Sequence, residues 1–444
     1  MSRLADPRPT VVVFHCDGGS LATPAAAPVH PGAGFIRVPC AGRVSAGDVL
    51  RALRSGAVGV LLAGCAPGAC RFGDAGSHAD DVATDLASVL EAMGLGADRV
   101  RFAPAGRGAG LTAAVSSFID RVQDYEVIRP TAAEVSRMSA LMDVIPPYPH
   151  HGAVQEAALL SHMRHDAPTW PDWAAGAVAG APTLLYVCDL PLLDGLIGRH
   201  FPAKTHATLR ACMELLRRAG VSVSVVPALP CCGHDFGLAG IVEERAHEAR
   251  RVRVALEATG AKRVVTVSPE CEWHLRDGFS EVGVTLEPEV IGLVDLLYER
   301  RDALTPDVER VPASRTVLYV GEAPTQSRDS AVDLLALAGV TPRSVLPKEF
   351  PSTPKAGADG APPQGSAGVQ GFRQCDGEAR AAQDRLLGDV EALGATTVIT
   401  LSVTAAIHLR CALRRGAWRR STVRVLSLFD YLADRLAPPP EFQG

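Results

Sequence analysis

Two stretches of the chain occur twice at almost one spacing, and this repeat constrains the fold more than any other feature. Leu184-Leu185-Tyr186-Val187-Cys188-Asp189-Leu190-Pro191 returns as Val317-Leu318-Tyr319-Val320-Gly321-Glu322-Ala323-Pro324. Gly260-Ala261-Lys262-Arg263-Val264-Val265-Thr266-Val267-Ser268 returns as Gly394-Ala395-Thr396-Thr397-Val398-Ile399-Thr400-Leu401-Ser402. His274-Leu275-Arg276 and His408-Leu409-Arg410 then follow in the two copies, and the offsets are 133 and 134 residues. Two matches at nearly one offset indicate duplication. Each copy opens on a short β-branched run that leads into helical text, so the duplicated piece is an α/β lobe.

The first part of the chain alternates in the same way. Strands are expected at Thr10–Phe14, Phe35–Val38, Ala57–Ala63 and Val100–Ala103. Helices are expected at Ala46–Ser55, capped by Ser45, and at His78–Met93 and Leu111–Val122. The expected fold is therefore α/β, with an open parallel-sheet N-terminal domain (1–125) followed by a two-lobed, duplicated α/β domain. Between them, 126–180 reads as a helical connecting arm, broken at Pro146-Pro147-Tyr148-Pro149 and docked by Trp170 and Trp173. The lobes are expected at 181–305 and 306–444, the second with a flexible Pro/Gly/Ala/Ser-rich insertion at about 352–371.

Eleven cysteines stand in this chain, mostly where strands end. Cys16 follows the first strand, Cys40 the second and Cys65 the third, with Cys70 in the turn beyond. In a parallel sheet these thiols emerge on the one edge where such folds bind ligands. Cys188, the pair Cys231-Cys232 before Gly233, and Cys271 stand in the same way after the strands Leu184–Val187, Val221–Val226 and Val264–Val267. Adjacent side chains of an extended segment point to opposite faces, so Cys231 and Cys232 cannot both fill one core. A single Cys is often only a small buried hydrophobe, which is the reading for Cys212 and Cys411 on helical text. Convergent thiolates instead indicate zinc or an iron–sulfur centre, and ligands scattered over several turns favour the latter. His234 and His274 sit beside the thiols, where they could donate hydrogen bonds to sulfur or ligate, and solvated loop histidine is the default reading.

These residues carry two resemblances. Residues from about 10 to 122 resemble the delta subunit of methyl-viologen-reducing hydrogenase, through Arg37-Val38-Pro39-Cys40-Ala41-Gly42-Arg43-Val44 and Gly64-Cys65-Ala66-Pro67-Gly68-Ala69-Cys70-Arg71-Phe72. The resemblance implies a 2Fe–2S cluster on Cys16, Cys40, Cys65 and Cys70 and a relay between hydrogenase or dehydrogenase and a flavin-containing protein. Cys16 is followed by Gly19 where that family has the second Cys of a CxxC. Residues from about 183 to 435 resemble the cysteine-rich (CCG) domain found in heterodisulfide reductase and in the iron–sulfur subunits of glycolate and lactate oxidases. That resemblance implies one 4Fe–4S cluster at most, on Cys188, Cys231, Cys232 and Cys271, with Ser268 where a further Cys is expected. Its second lobe is degenerate, with Gly321, Ser402 and Ala405 at ligand positions and only Cys375 near the Cys-Cys-Gly position.

The function expected is an iron–sulfur electron-transfer subunit of a heterodisulfide reductase/hydrogenase-like complex. Its expected partners are the flavin-containing component of a heterodisulfide reductase and a hydrogenase or dehydrogenase. A catalytic thiol–disulfide reductase and a zinc or structural scaffold are the alternatives. The run Gly106-Arg107-Gly108-Ala109-Gly110 lacks the GxGxxG spacing, so no flavin or nicotinamide site is expected. A net charge of −5 and only 5% aromatic residues argue against nucleic acid. No apolar run reaches the roughly 18 residues of a membrane span, and Met1–Thr10 has no signal core, so the cytoplasm is expected.

Overall fold

The structure is a computed structural model. It describes residues 10–16, 30–66, 70, 72–73, 75–104, 109–128, 172–188, 190–197, 203–226, 229–230, 232–234, 242–306, 315–321, 323–346, 377–414, 418 and 421–437. Outside them lie most of the expected arm, the insertion at 352–371, and Cys231 and Cys375. The chain divides into two compact units, one of Met1–Ser139 with Pro147–Thr169 and one of Ala140–Pro146 with Trp170–Gly444.

The first unit holds one parallel sheet of β1 (Thr10–Cys16), β2 (Ala33–Val38), β3 (Ala57–Gly64) and β4 (Val100–Pro104), in the order β2-β1-β3-β4. The central strand β3 is buried along its whole length, as the unbroken apolar text Ala57-Val58-Gly59-Val60-Leu61-Leu62-Ala63 requires of a strand covered on both faces. Helices α1 (Ala46–Arg54) and α2 (Ala75–Ala92) cross over between successive strands, and α3 (Ala109–Val122) follows β4. The expected cap is present: Ser45 Oγ accepts from the Asp48 N–H, and Asp48 accepts from the Ser45 N–H in return.

The second unit repeats this strand order twice. Its first lobe has β5 (Thr183–Tyr186), β6 (Ser224–Val225), β7 (Arg263–Thr266) and β8 (Glu289–Gly292) in the order β6-β5-β7-β8. Helices α4 (Leu190–Ile197), α5 (Thr205–Arg218), α6 (Val242–Thr259), α7 (Pro269–Trp273), α8 (Phe279–Glu281) and α9 (Leu293–Glu299) surround it. A short antiparallel pair, β9 (Thr305–Pro306) with Leu436–Ala437, ties the lobe junction to the chain's last described strand. The second lobe has β10 (Thr316–Tyr319), β11 (Ser344–Leu346), β12 (Thr397–Thr400) and β13 (Arg424–Ser427) in the order β11-β10-β12-β13, with helices α10 (Thr325–Leu337), α11 (Gly377–Ala392), α12 (Val403–Ala412) and α13 (Leu428–Arg435). The registers match across the repeat: Leu184 lies beside Val264, and Val317 beside Val398. The strand expected at Val221–Val226 shrinks to Ser224–Val225, because it is an edge strand pairing on one side only. Trp173 is buried and its turn packs on α5, whereas Trp170 lies outside the described residues.

The two lobes pack through related helices. In the first lobe α9 follows the last strand; it lies against α10 (Thr325–Leu337), and α13 (Leu428–Arg435), its counterpart, lies against α5. Both contacts centre on the third residue of the helix. Buried Asp295 accepts from Ser327 Oγ and Ser330 Oγ, both at 2.6 Å. Asp430 accepts from Thr208 Oγ1 at 3.1 Å and pairs with Arg410, which also donates to the Ala203 carbonyl. The repeated His-Leu-Arg text thus places its arginines near this junction, Arg276 pairing with Glu272 at 2.8 Å as Arg410 pairs with Asp430.

Glu272 is 2% exposed, and burial together with nearby Asp295 raises its carboxyl to about 7 against the pull of Arg276. The folded chain therefore keeps this proton to near neutrality while the unfolded chain releases it near the ordinary carboxylate value. Stability contributed at low pH is lost as pH rises through about 7. Wild-type unfolding free energy should fall by about 3 kcal/mol relative to Glu272→Gln between pH 4.5 and 8, read by urea titrations. Parallel curves for the two proteins would show that the carboxyl titrates normally.

Candidate metal centres

The order β2-β1-β3-β4 creates a point where neighbouring connections leave in opposite directions, at the carboxyl ends of β1 and β3. Cys16 ends β1 and Cys65 follows β3, and their sulfurs are 4.0 Å apart. Cys40 leads a 3-10 turn, Ala41–Arg43, beyond β2. Glycine makes the approach of these turns feasible. A Cβ on Gly42 would lie 2.4 Å from the Ala75 carbonyl oxygen, and one on Gly76 would lie 2.6 Å from that of Cys65. The start of α2 is thus drawn against both thiol-bearing turns.

Cys70 completes the group. Its thiol is near enough to Cys40 and Cys65 to add to the upward shift of both, while the Gly42 backbone opposes the shift at Cys40. Burial pushes the Cys65 thiol up to about 11, with Cys16 and Cys70 adding to the shift, and burial likewise raises Cys40. Without a cation the Cys40 and Cys65 thiols keep their protons, so a metal bound here must displace them.

The first lobe of the second unit uses the same edge. Cys188 follows β5, Cys232 follows β6, and Cys271 lies one turn beyond β7. Their three sulfurs are all within 4.8 Å of one another, and Cys232 and Cys271 are 3.7 Å apart. Cys271 sits in the first turn of α7, with Ser268 as the residue before the helix and Pro269 as its first. Proline suits that place because it lacks the N–H that a first helical turn leaves unpaired. Gly233, at φ 79°, supplies the sharp turn expected after the Cys-Cys pair.

Cys188 is held in the left-handed region, at φ 54°. Its counterpart in the second lobe is Gly321, at φ 58°, so both lobes need the same backbone turn after their first strand. The second lobe fills that place with the residue that adopts the turn without strain. A side chain there costs about 1–2 kcal/mol. Filling a core does not call for so costly a position, whereas holding a ligand atom does. The position is open to sequence reading, since the repeat aligns a glycine with a cysteine.

The histidines differ from expectation. His274 is fully buried on a π-helical turn, His274–Gly278, rather than solvated in a loop, because the His-Leu-Arg segment packs inward beside Phe279. His234 is half-buried, with its ring 5.9 Å from that of His274. Burial, with His234 and Arg245 nearby, holds His274 neutral and well below the ordinary histidine range, and the Cys232 backbone opposes this only in part. Neither ring nitrogen makes a well-formed hydrogen bond. A buried polar ring left so beside three thiols is consistent with a site built around a further group. Cys212 is buried within α5 and Cys411 half-buried on α12 (Val403–Ala412), as packing residues. Gly321 and Ala405 stand where the first lobe has Cys188 and Cys271, and Ser402 caps α12.

The strain at Cys188 is directly testable. Cys188→Gly should stabilise the metal-free protein by about 1 kcal/mol, after allowing for glycine's freedom in the unfolded chain, and should weaken metal binding by the lobe. Denaturant titration of the metal-free chain and metal analysis read the two effects separately. A stability loss of core-substitution size would make Cys188 packing only.

A family model described as methyl-viologen-reducing hydrogenase, delta subunit, matches residues 11–125, and one described as a cysteine-rich domain matches residues 197–276. The vhu iron-sulfur subunit of the F420-non-reducing hydrogenase of Methanococcus maripaludis is 36% identical over 90 residues, covering 20% of this chain and 67% of that protein. The corresponding vhc iron-sulfur subunit of Methanococcus voltae is 29% identical over 123 residues, 26% of this chain and 85% of the relative. Through residues 11–125 the chain belongs to the family of the methyl-viologen-reducing hydrogenase delta subunit, joined in the same polypeptide to a cysteine-rich domain.

Proposed function

We propose that the chain is an iron–sulfur electron-transfer subunit of a cytoplasmic redox complex of the hydrogenase/heterodisulfide reductase type. The observation that carries this reading is the gathering of thiols at the carboxyl ends of the central strands, once in each unit. Soft thiolates without hard oxygen ligands suit iron–sulfur centres. In the first unit Cys16, Cys40, Cys65 and Cys70 would hold a 2Fe–2S cluster. In the first lobe of the second unit Cys188, Cys232 and Cys271 would hold a 4Fe–4S cluster, with Cys231 as fourth ligand. Such centres supply one-electron transfer when bound.

The chain's own part is to hold the centre and set its potential. Burial of Cys16 and Cys40 limits water beside the sulfurs, and the backbone of Gly42 hydrogen-bonds one of them. The second lobe, with Gly321 and Ala405 at the corresponding places, would serve as a packing partner for the first. The relatives named as hydrogenase subunits support a hydrogenase or dehydrogenase as one partner, and the flavin-containing component of a heterodisulfide reductase would be the other, as the sequence resemblance implies. Among the described residues no helix is long and apolar enough to cross a membrane.

Protein purified without oxygen should be brown and contain iron and acid-labile sulfide in equal amounts. Its dithionite-reduced form should give a low-temperature EPR signal that Cys65→Ala diminishes. Stoichiometric zinc without sulfide would overturn the reading.

A further inference from the structure

Thr266 is the last residue of β7, an inner strand of the first lobe's sheet. Its side chain is buried, and Oγ1 makes no hydrogen bond among the described residues. A buried hydroxyl without a partner costs free energy, and few are left so in a folded chain. Register fixes which way it faces. Leu184 and Tyr186 of β5 pair with Val264 and Thr266, and residues two apart along a strand share a face. Leu184, Tyr186 and Val264 belong to one buried cluster that also contains Cys232 and has Cys188 and Cys271 packed against it. Thr266 therefore stands on the face that carries all three thiols, at the end of the sheet where they gather.

The second lobe supplies the comparison. Tyr319 pairs with Thr400 as Tyr186 pairs with Thr266, so the same residue type holds the same register position in both lobes. In the second lobe the hydroxyl is used internally, since Thr400 Oγ1 donates to the Ser402 carbonyl at 2.9 Å. The first lobe also has a serine two residues on, Ser268, yet Thr266 makes no such bond. The lobe without the thiols closes its threonine on its own backbone, and the lobe with them leaves it open. His274 is also buried beside the thiols, but the second lobe buries His408 at the same place, so burial of that ring belongs to the repeat. Thr266 is the polar group that differs between the lobes.

We propose that the Thr266 hydroxyl donates a hydrogen bond to a sulfur of the first-lobe centre and thereby raises its potential. This rests on the iron–sulfur reading of that lobe. The sulfur takes the place that the Ser402 carbonyl has in the second lobe. Reduction adds negative charge to the centre, and an O–H directed at sulfur stabilises the reduced form more than the oxidised one. Thr266 binds no iron itself and acts only through the sulfur, so it is a positioning residue.

Valine keeps the shape of threonine and removes the hydroxyl. Thr266→Val in the full chain, purified without oxygen and followed by EPR in a redox titration, should retain its iron and sulfide and lower the potential of one centre. The signal that Cys65→Ala weakens should keep its potential, and Thr266→Ser should behave as the wild type. The metal-free chain gives a second readout. There Thr266→Val should leave the urea midpoint unchanged or raise it, whereas Thr400→Val should lower it, because the Ser402 carbonyl loses its donor. An unchanged potential in Thr266→Val with iron retained overturns the proposal. Loss of iron from that variant also overturns it, since a donor to sulfur does not hold the metal. A metal-free midpoint lowered as far as that of Thr400→Val overturns it too, because Thr266 would then have an ordinary structural bond. Zinc without sulfide in the native protein would sink the iron–sulfur reading and this inference with it, whereas the other outcomes sink the inference alone, so the two failures are distinguishable.

Discussion

Strand order is the constraint on which the rest depends. In each of the three four-stranded sheets among the described residues the first strand lies between the second and the third, so the connections that leave the first and third strands part company at their carboxyl ends. A residue placed at one strand's end there meets its counterpart from the next strand, as Cys16 meets Cys65. The first unit puts Cys16, Cys40 and Cys65 after strands one, two and three, and the first lobe puts Cys188, Cys232 and Cys271 in the same three places. One topological fact thereby accounts for both thiol groups.

Stability comes from elsewhere in the molecule. The cores under the sheets are apolar, and the lobes are joined by Asp295 with Ser327 and Ser330 and by Asp430 with Thr208. A buried carboxylate is costly unless it is hydrogen-bonded, so these pairs fix how the lobes meet as well as holding them. The second lobe's core cluster contains no thiol, whereas the first lobe's includes Cys232. The second lobe can therefore have Gly321 and Ala405 at the thiol positions and keep both its sheet and its packing. At Cys188 the two demands conflict. The backbone favours glycine there, and the first lobe carries a side chain at that place in spite of the strain.

Much of the fold was legible in the sequence because it rests on local text. The apolar run of β3, the Ser45 cap and the repeat at Leu184 and Val317 each state a local preference that packing leaves unopposed. The thiol positions were legible too, since a cysteine at a strand's end is visible in one dimension. Less visible were the burial of His274, which a loop-like setting beside Cys271 concealed, and the raised carboxyl of Glu272, which depends on an aspartate from another helix. The strand expected at Val221–Val226 shortened because strand length depends on neighbours as well as on β-branched residues.

The sequence by itself determined the alternation of strand and helix, the duplication and which residues carry sulfur, because these follow from side-chain type and spacing along the chain. Only the tertiary structure decided which thiols touch. Cys65 and Cys70 are close in sequence, yet Cys16, 49 residues away, is the thiol 4.0 Å from Cys65. Contacts between strand ends depend on strand order and register, and hydrogen bonds between distant segments settle both.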